Sequence, residues 1–96
     1  GLNEKAYNIL QTIYKIEDKN MQPYKRFIFY LIEDLREFKT LSEYTLSEII
    51  SWEKHLSSPE NLAQSIQNLR DEIGENFLDK VQSLKKSDNE EIIIAI

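Results

Sequence analysis

His55 is the only histidine in the chain, so a general base titrating near neutrality would be sought there first. No serine, cysteine or carboxylate stands at a recognisable triad spacing from it. The residue three positions earlier is Trp52, so the Glu-x-x-His pair that di-iron helical bundles require is missing. Near the end of an apolar-periodic run, His55 suits a helix C-terminus, where a cation offsets the dipole. The carboxylates gather at Glu33-Asp34-Glu37, Asp71-Glu72-Glu75 and Glu90-Glu91. Such groups can bind hard cations or share a proton, and Glu33 and Glu37 would lie on one helix face. The calcium-loop pattern of an EF-hand is absent, and these charges read as solvated helix faces. Two glycines in the whole chain rule out the glycine-rich phosphate loops of Rossmann and Walker sites. Without cysteine there is neither a disulfide framework nor a thiolate zinc site. These residues predict no catalytic group, no metal and no cofactor, and a protein that is not an enzyme.

Residues suited to contact are more prominent. Trp52 stands three residues after Ile49 and borders the core or an interface; Tyr44, in a connector, is the better interface candidate. Lys15, Lys19, Lys25 and Arg26 form the densest positive group. If the first two helices make a hairpin, these cations meet near Tyr14 and Tyr24, a combination that can bind single-stranded nucleic acid or phosphate. The formal net charge of −5 and a pI near 4.9 oppose a general nucleic-acid coat, whose footprint is basic. The last residues are Glu90-Glu91 followed by Ile92, Ile93, Ile94, Ala95 and Ile96. This apolar run is expected to be covered by the domain's own core, packed in a groove between helices, by a protein partner or a second copy, or by the remainder of a longer parent chain. Its β-branched content favours a strand; Glu90-Glu91 equally suit the first turn of a helix capped by Asp88 or Asn89.

The elements that must position these residues read as helices. Ninety-six residues make one domain, and two Gly and two Pro are too few for the turns of a sandwich or barrel. From Asn3, a plausible N-cap, to about Glu17, the residues Ala6, Ile9, Leu10 and Ile13 recur at helical spacing. Asp18-Lys19-Asn20 predicts a turn. Pro23 then opens a second helix whose stripe is Tyr24, Phe27, Ile28, Leu31, Ile32, Leu35 and Phe38. Phe27 to Ile32 is apolar all round, so this helix is expected to be central. Thr40-Leu41-Ser42-Glu43 and Thr45-Leu46-Ser47-Glu48 each carry the capping-box spacing, with Thr45 the favoured cap of a third helix. Ser58-Pro59-Glu60 is the clearest start signal, leading to Leu62, Ile66, Leu69 and Ile73. A break or bend is expected at Gly74.

The sequence thus predicts an all-α fold: four to five helices in an antiparallel bundle-like array, with a short apolar C-terminal segment that is strand or helix. Helix two and the Leu62–Ile73 helix are expected to supply most of the core. Residues 1–96 are expected to be a single helical domain, a fragment of a longer protein. The function expected is a non-enzymatic protein–protein interaction domain binding through Tyr44, Trp52, Ile92, Ile93, Ile94 and Ile96. Self-association is one form of this. The alternative is a helical accessory domain of a nucleic-acid-processing protein using Lys15, Lys19, Lys25 and Arg26. No stretch approaches the ~18 apolar residues of a membrane span, and the absence of cysteine fits a reducing compartment, so a cytoplasmic location is expected.

Overall fold

In a computed structural model that describes residues 1–74, four α-helices surround one apolar core: α1 (Leu2–Tyr14), α2 (Lys25–Glu33), α3 (Glu43–Ser51) and α4 (Pro59–Ile73). The expected all-α architecture is what the chain adopts. Among the described residues there is no strand, and no helix is long and apolar enough to cross a membrane. The C-terminal run Ile92–Ile96 lies outside the described residues.

The helix at the centre is α1, not α2. It packs against both α2 and α3, and its Ala6, Leu10 and Ile13 are fully buried between them. Helices α1 and α2 run antiparallel, as do α3 and α4. The Lys25 ammonium at the start of α2 donates to the Tyr14 carbonyl at the end of α1, and Tyr44 near the start of α3 reaches Glu72 near the end of α4. Helix α4 does not lie against α1 along its length. It packs on two short 3₁₀ segments, Lys19–Tyr24 and Trp52–His55, burying Leu62, Ile66 and Leu69.

Local chemistry sets the boundaries, and several differ from expectation. The first helix starts before Asn3: the Lys5 N–H donates to the Gly1 carbonyl at 3.3 Å, which places Asn3 inside the first turn. Asp18 begins more than a turn. Its carboxylate accepts the Asn20 N–H at 2.8 Å, and its carbonyl accepts the Met21 N–H at 3.0 Å. Together they cap the 3₁₀ segment that contains Pro23 and delays α2 to Lys25. Ser58 and Pro59 do open α4, with the Ser58 carbonyl rather than its hydroxyl accepting the Leu62 N–H at 2.9 Å. The break at Gly74 is present: α4 ends at Ile73, and Gly74 takes φ 79°, a left-handed value that glycine adopts without a Cβ clash.

The connection from α2 to α3 departs furthest. The stripe ending at Phe38 is helical, but its last turn, Asp34–Phe38, widens to π geometry, closed by the Lys39 N–H on the Asp34 carbonyl at 2.5 Å. Lys39 then sits at φ 51°, a left-handed conformation unusual for a residue with a Cβ. The Asp34 side chain, 0% exposed, holds this reversal by accepting the Thr40 N–H at 3.0 Å and the Thr40 hydroxyl at 2.5 Å. The expectation of solvated carboxylates therefore fails at Glu33 and Asp34, both of them buried, and holds for Glu37. Neither threonine caps α3. Thr40 is committed to Asp34, Thr45 is buried inside the helix, and Ser42 is the cap, its Oγ accepting the Thr45 N–H at 3.2 Å.

Removing the Asp34 carboxylate breaks both of its bonds from Thr40 and leaves the reversal unclamped. Asp34→Ala should lower the unfolding free energy by about 1–3 kcal/mol, and Ser42→Ala by about 1 kcal/mol. Urea denaturation followed by circular dichroism reads both, and an unchanged Asp34→Ala midpoint contradicts the clamp. At Lys39 the sign reverses: Lys39→Gly relieves a left-handed residue and should leave stability unchanged or raised.

A candidate docking groove between α1 and α2

The core stripe of α1 leaves Tyr7, Gln11 and Tyr14 on an adjoining face, at spacings of four and three. Across the seam, α2 and its π turn present Phe29, Ile32, Glu33 and Arg36. Together with Lys15 these residues line a cleft of about 190 Å³. A second depression of about 420 Å³ is lined by Asn3, Glu4, Tyr7, Leu35, Arg36 and Lys39. The two share Tyr7 and Arg36 and so adjoin along the α1–α2 seam, from Tyr14 in the first to Asn3 in the second; together they are termed the groove.

The lip of the groove is aromatic. Ile13 and Ile28 turn inward and are fully buried, whereas the next residues, Tyr14 and Phe29, rotate outward by one helical step and are 41% and 39% exposed. Their ring centroids are 6.2 Å apart with planes tilted by 42°. Tyr30 meets Phe29 edge-on at 5.9 Å. Cations sit on these rings: Lys25 Nζ lies 4.9 Å from the Tyr14 centroid, and the Arg26 guanidinium 5.6 Å from the Tyr30 centroid. Exposed cation–π contacts of this kind contribute about 0.5–1 kcal/mol each. They hold the rings in defined orientations.

The expected basic patch is therefore partly assembled and partly dispersed. Lys15 lines the groove, while Lys25 and Arg26 flank it on their aromatic partners. Lys19 is exposed at the start of the 3₁₀ segment. Tyr24 turns away from the group, its hydroxyl donating to Gln67 Oε1 on α4 at 2.9 Å. The sequence reading missed Tyr7, Phe29, Tyr30 and Arg36 as site residues. The signal lies in the second apolar face of α2 at Phe29 and Tyr30, which in a helix apolar all round implies burial on all sides.

The other candidates lie elsewhere. Trp52, offered as a partner-binding residue, is 1% exposed and belongs to the core, because the 3₁₀ segment after α3 swings its indole inward. His55 ends that segment, and its carbonyl accepts the Ser58 N–H at 2.9 Å. Asp71 accepts a bond from Gln67 on its own helix at 2.8 Å. No three His, Cys, Asp or Glu side chains converge on a metal position among the described residues. Glu75, Glu90, Glu91 and Ile92, Ile93, Ile94 and Ile96 lie outside the described residues. Tyr44 is 58% exposed, stands on α3 away from the groove, and donates to Glu72 Oε2 on α4 at 3.0 Å.

Comparison with protein-family models, with curated proteins and with solved structures finds no match.

The Tyr44 hydroxyl titrates above its ordinary value of 10.0, first because Glu72 accepts its proton in a hydrogen bond and next because the Glu72 charge opposes a phenolate. Slight desolvation and Glu48 add to this. A pKa raised on folding means that the clasp is fully present below the unfolded tyrosine value and is lost as pH climbs through the folded one. Absorbance titration of the phenolates should show Tyr44 ionising late, identified by its loss in Tyr44→Phe. Glu72→Gln should bring it back towards 10.0; no movement in that variant contradicts the assignment.

Proposed function

We propose that the chain is a non-enzymatic protein–protein interaction domain, and that it receives a segment of another protein in the α1–α2 groove. The observation that carries this reading is the exposure of Tyr14 and Phe29 at the lip of a groove that the domain's own core does not fill. Interfaces concentrate their binding energy in aromatic and arginine side chains near a desolvated centre. Tyr7, Tyr14, Phe29 and Arg36 supply that composition along one seam. Tyr44 is a second contact point on a different face. It contributes to the partner surface only if that partner reaches round to α3.

A second reading has its own support. Lys15, Lys25 and Arg26 beside exposed rings also suit single-stranded nucleic acid, where bases stack on aromatics and cations track phosphates. This is the accessory-domain alternative, and its scope is local, because the chain as a whole carries −5.

Selection of a displayed library of short random peptides against the full chain separates the two. Enriched peptides should lose at least about tenfold in affinity, roughly 1.4 kcal/mol, on Phe29→Ala, with the helical content of the variant unchanged. Failure to enrich any Phe29-dependent peptide, together with tight, salt-sensitive binding of single-stranded oligonucleotides, overturns the protein-docking reading in favour of the nucleic-acid one.

A further inference from the structure

The groove makes specific demands on what fills it. Its walls are helices, whose backbone N–H and C=O groups are paired within each helix, and no strand exists among the described residues. An extended segment would find no sheet edge to bond, and its own backbone groups would be desolvated without partners. A helix satisfies its backbone internally and needs the groove only for side chains. The dimensions agree. Helix α1 has 13 residues, and at 1.5 Å per residue its seam is roughly 20 Å long, enough for three to four turns of a ligand helix. Tyr7, Tyr14, Phe29, Ile32 and Leu35 give that helix an aromatic and aliphatic bed.

Charge decides the polar face of the ligand. Lys15 stands at one end of the groove, Arg36 at its middle and Lys39 at the other end, with Lys25 and Arg26 beside the aromatic lip. The acids in the lining are Glu33, which is buried, and Glu4, in the first turn of α1. The opposite side of the domain has the reverse balance: α3 and α4, with the 3₁₀ segment between them, carry Glu43, Glu48, Glu53, Glu60, Asp71 and Glu72 against Lys54 and Arg70. Among the described residues of a chain that is net negative, the exposed Lys15, Arg36 and Lys39 thus gather along this aromatic groove. Resting on the docking reading above, we infer that the occupant is an amphipathic helix from a partner protein, with large apolar side chains on one face and acidic residues bordering them.

Fluorescence anisotropy on the full chain, with three synthetic helical peptides of about 14 residues (~20 Å of helix), tests this. The first has a Leu/Ile stripe bordered by Glu. The second replaces Glu by Gln, and the third replaces the stripe by Ala. The Glu peptide should bind at least about tenfold more tightly than either control, and its advantage over the Gln peptide should shrink between about 50 mM and about 500 mM salt. Arg36→Glu and, separately, Lys15→Glu should each weaken the Glu peptide by a larger factor than the Gln peptide, so that its advantage shrinks. Both side chains are exposed, so each variant checks the other. Equal binding of the Glu and Gln peptides overturns the acidic-helix inference and leaves the docking reading standing. Equal binding of the Glu and Ala-stripe peptides shows attraction by charge alone and overturns it too. Binding of single-stranded oligonucleotides with no peptide binding overturns both. Sedimentation of the free chain as a dimer that Arg36→Glu dissociates makes a second copy the occupant, and overturns the inference of a foreign helix.

Discussion

Helix α1 is packed on two sides at once. Ala6, Leu10 and Ile13 leave no room for solvent between α2 and α3, and this double burial constrains everything around it. The helix serves both neighbours with one apolar stripe, Ala6, Ile9, Leu10 and Ile13. Tyr7, Gln11 and Tyr14 fall beside that stripe, along the α2 seam. The groove is a consequence of that geometry. Two antiparallel helices in contact through their inward stripes diverge at the surface, and here the π turn that extends α2 carries the divergence along α1 as far as Lys39. What the sequence adds is its lining: aromatic and cationic side chains in place of the short polar ones that would leave it inert.

The far end of the groove depends on a second constraint, the burial of Asp34. A carboxylate at 0% exposure is stable only with its oxygens engaged, and Thr40 engages both. The requirement fixes the chain reversal that follows. The π turn and left-handed Lys39 are the backbone's way of bringing Thr40 onto Asp34. The same turn places Arg36 and Lys39 on the groove side and directs the chain back into α3. Fold and candidate site therefore share one buried group.

The parts of this arrangement that were legible in the sequence are those decided within a few residues. Ser58-Pro59 and Gly74 bracket α4 because cap preferences and glycine's left-handed freedom act locally. The α1 and α2 stripes were equally plain. Thr45 misled because its capping-box spacing is locally sound; Ser42 displaced it once Thr40 was committed to Asp34, a contact across the reversal. Glu33 and Asp34 looked solvated because charge alone argues for water, and at Asp34 it is the paired bonds from Thr40 that make burial tolerable. Trp52 was ambiguous between core and interface until the 3₁₀ segment fixed its direction. Of the groove, Lys15, Lys25 and Arg26 could be picked out as charge density. Phe29 and Tyr30 could not, since the apolar-all-round stretch they belong to reads as buried until it is known that α1, and not α2, takes the centre.

The aromatic lip does not stabilise the fold in proportion to its size. Tyr14 and Phe29 keep about two-fifths of their surface in water, so at roughly 25 cal/mol per Å² of apolar area they forgo a substantial part of the stabilisation that full burial would bring. Their orientation is nonetheless held, by each other, by Tyr30 and by the cation above Tyr14. Rings that are ordered before a ligand arrives lose less conformational freedom when it does, and that saving appears directly as affinity. A surface selected only for solubility has no reason to order exposed aromatics beside cations. The ordering is explained if the groove's work is recognition, with the cations drawing in a ligand of opposite charge and the preset rings receiving its apolar face.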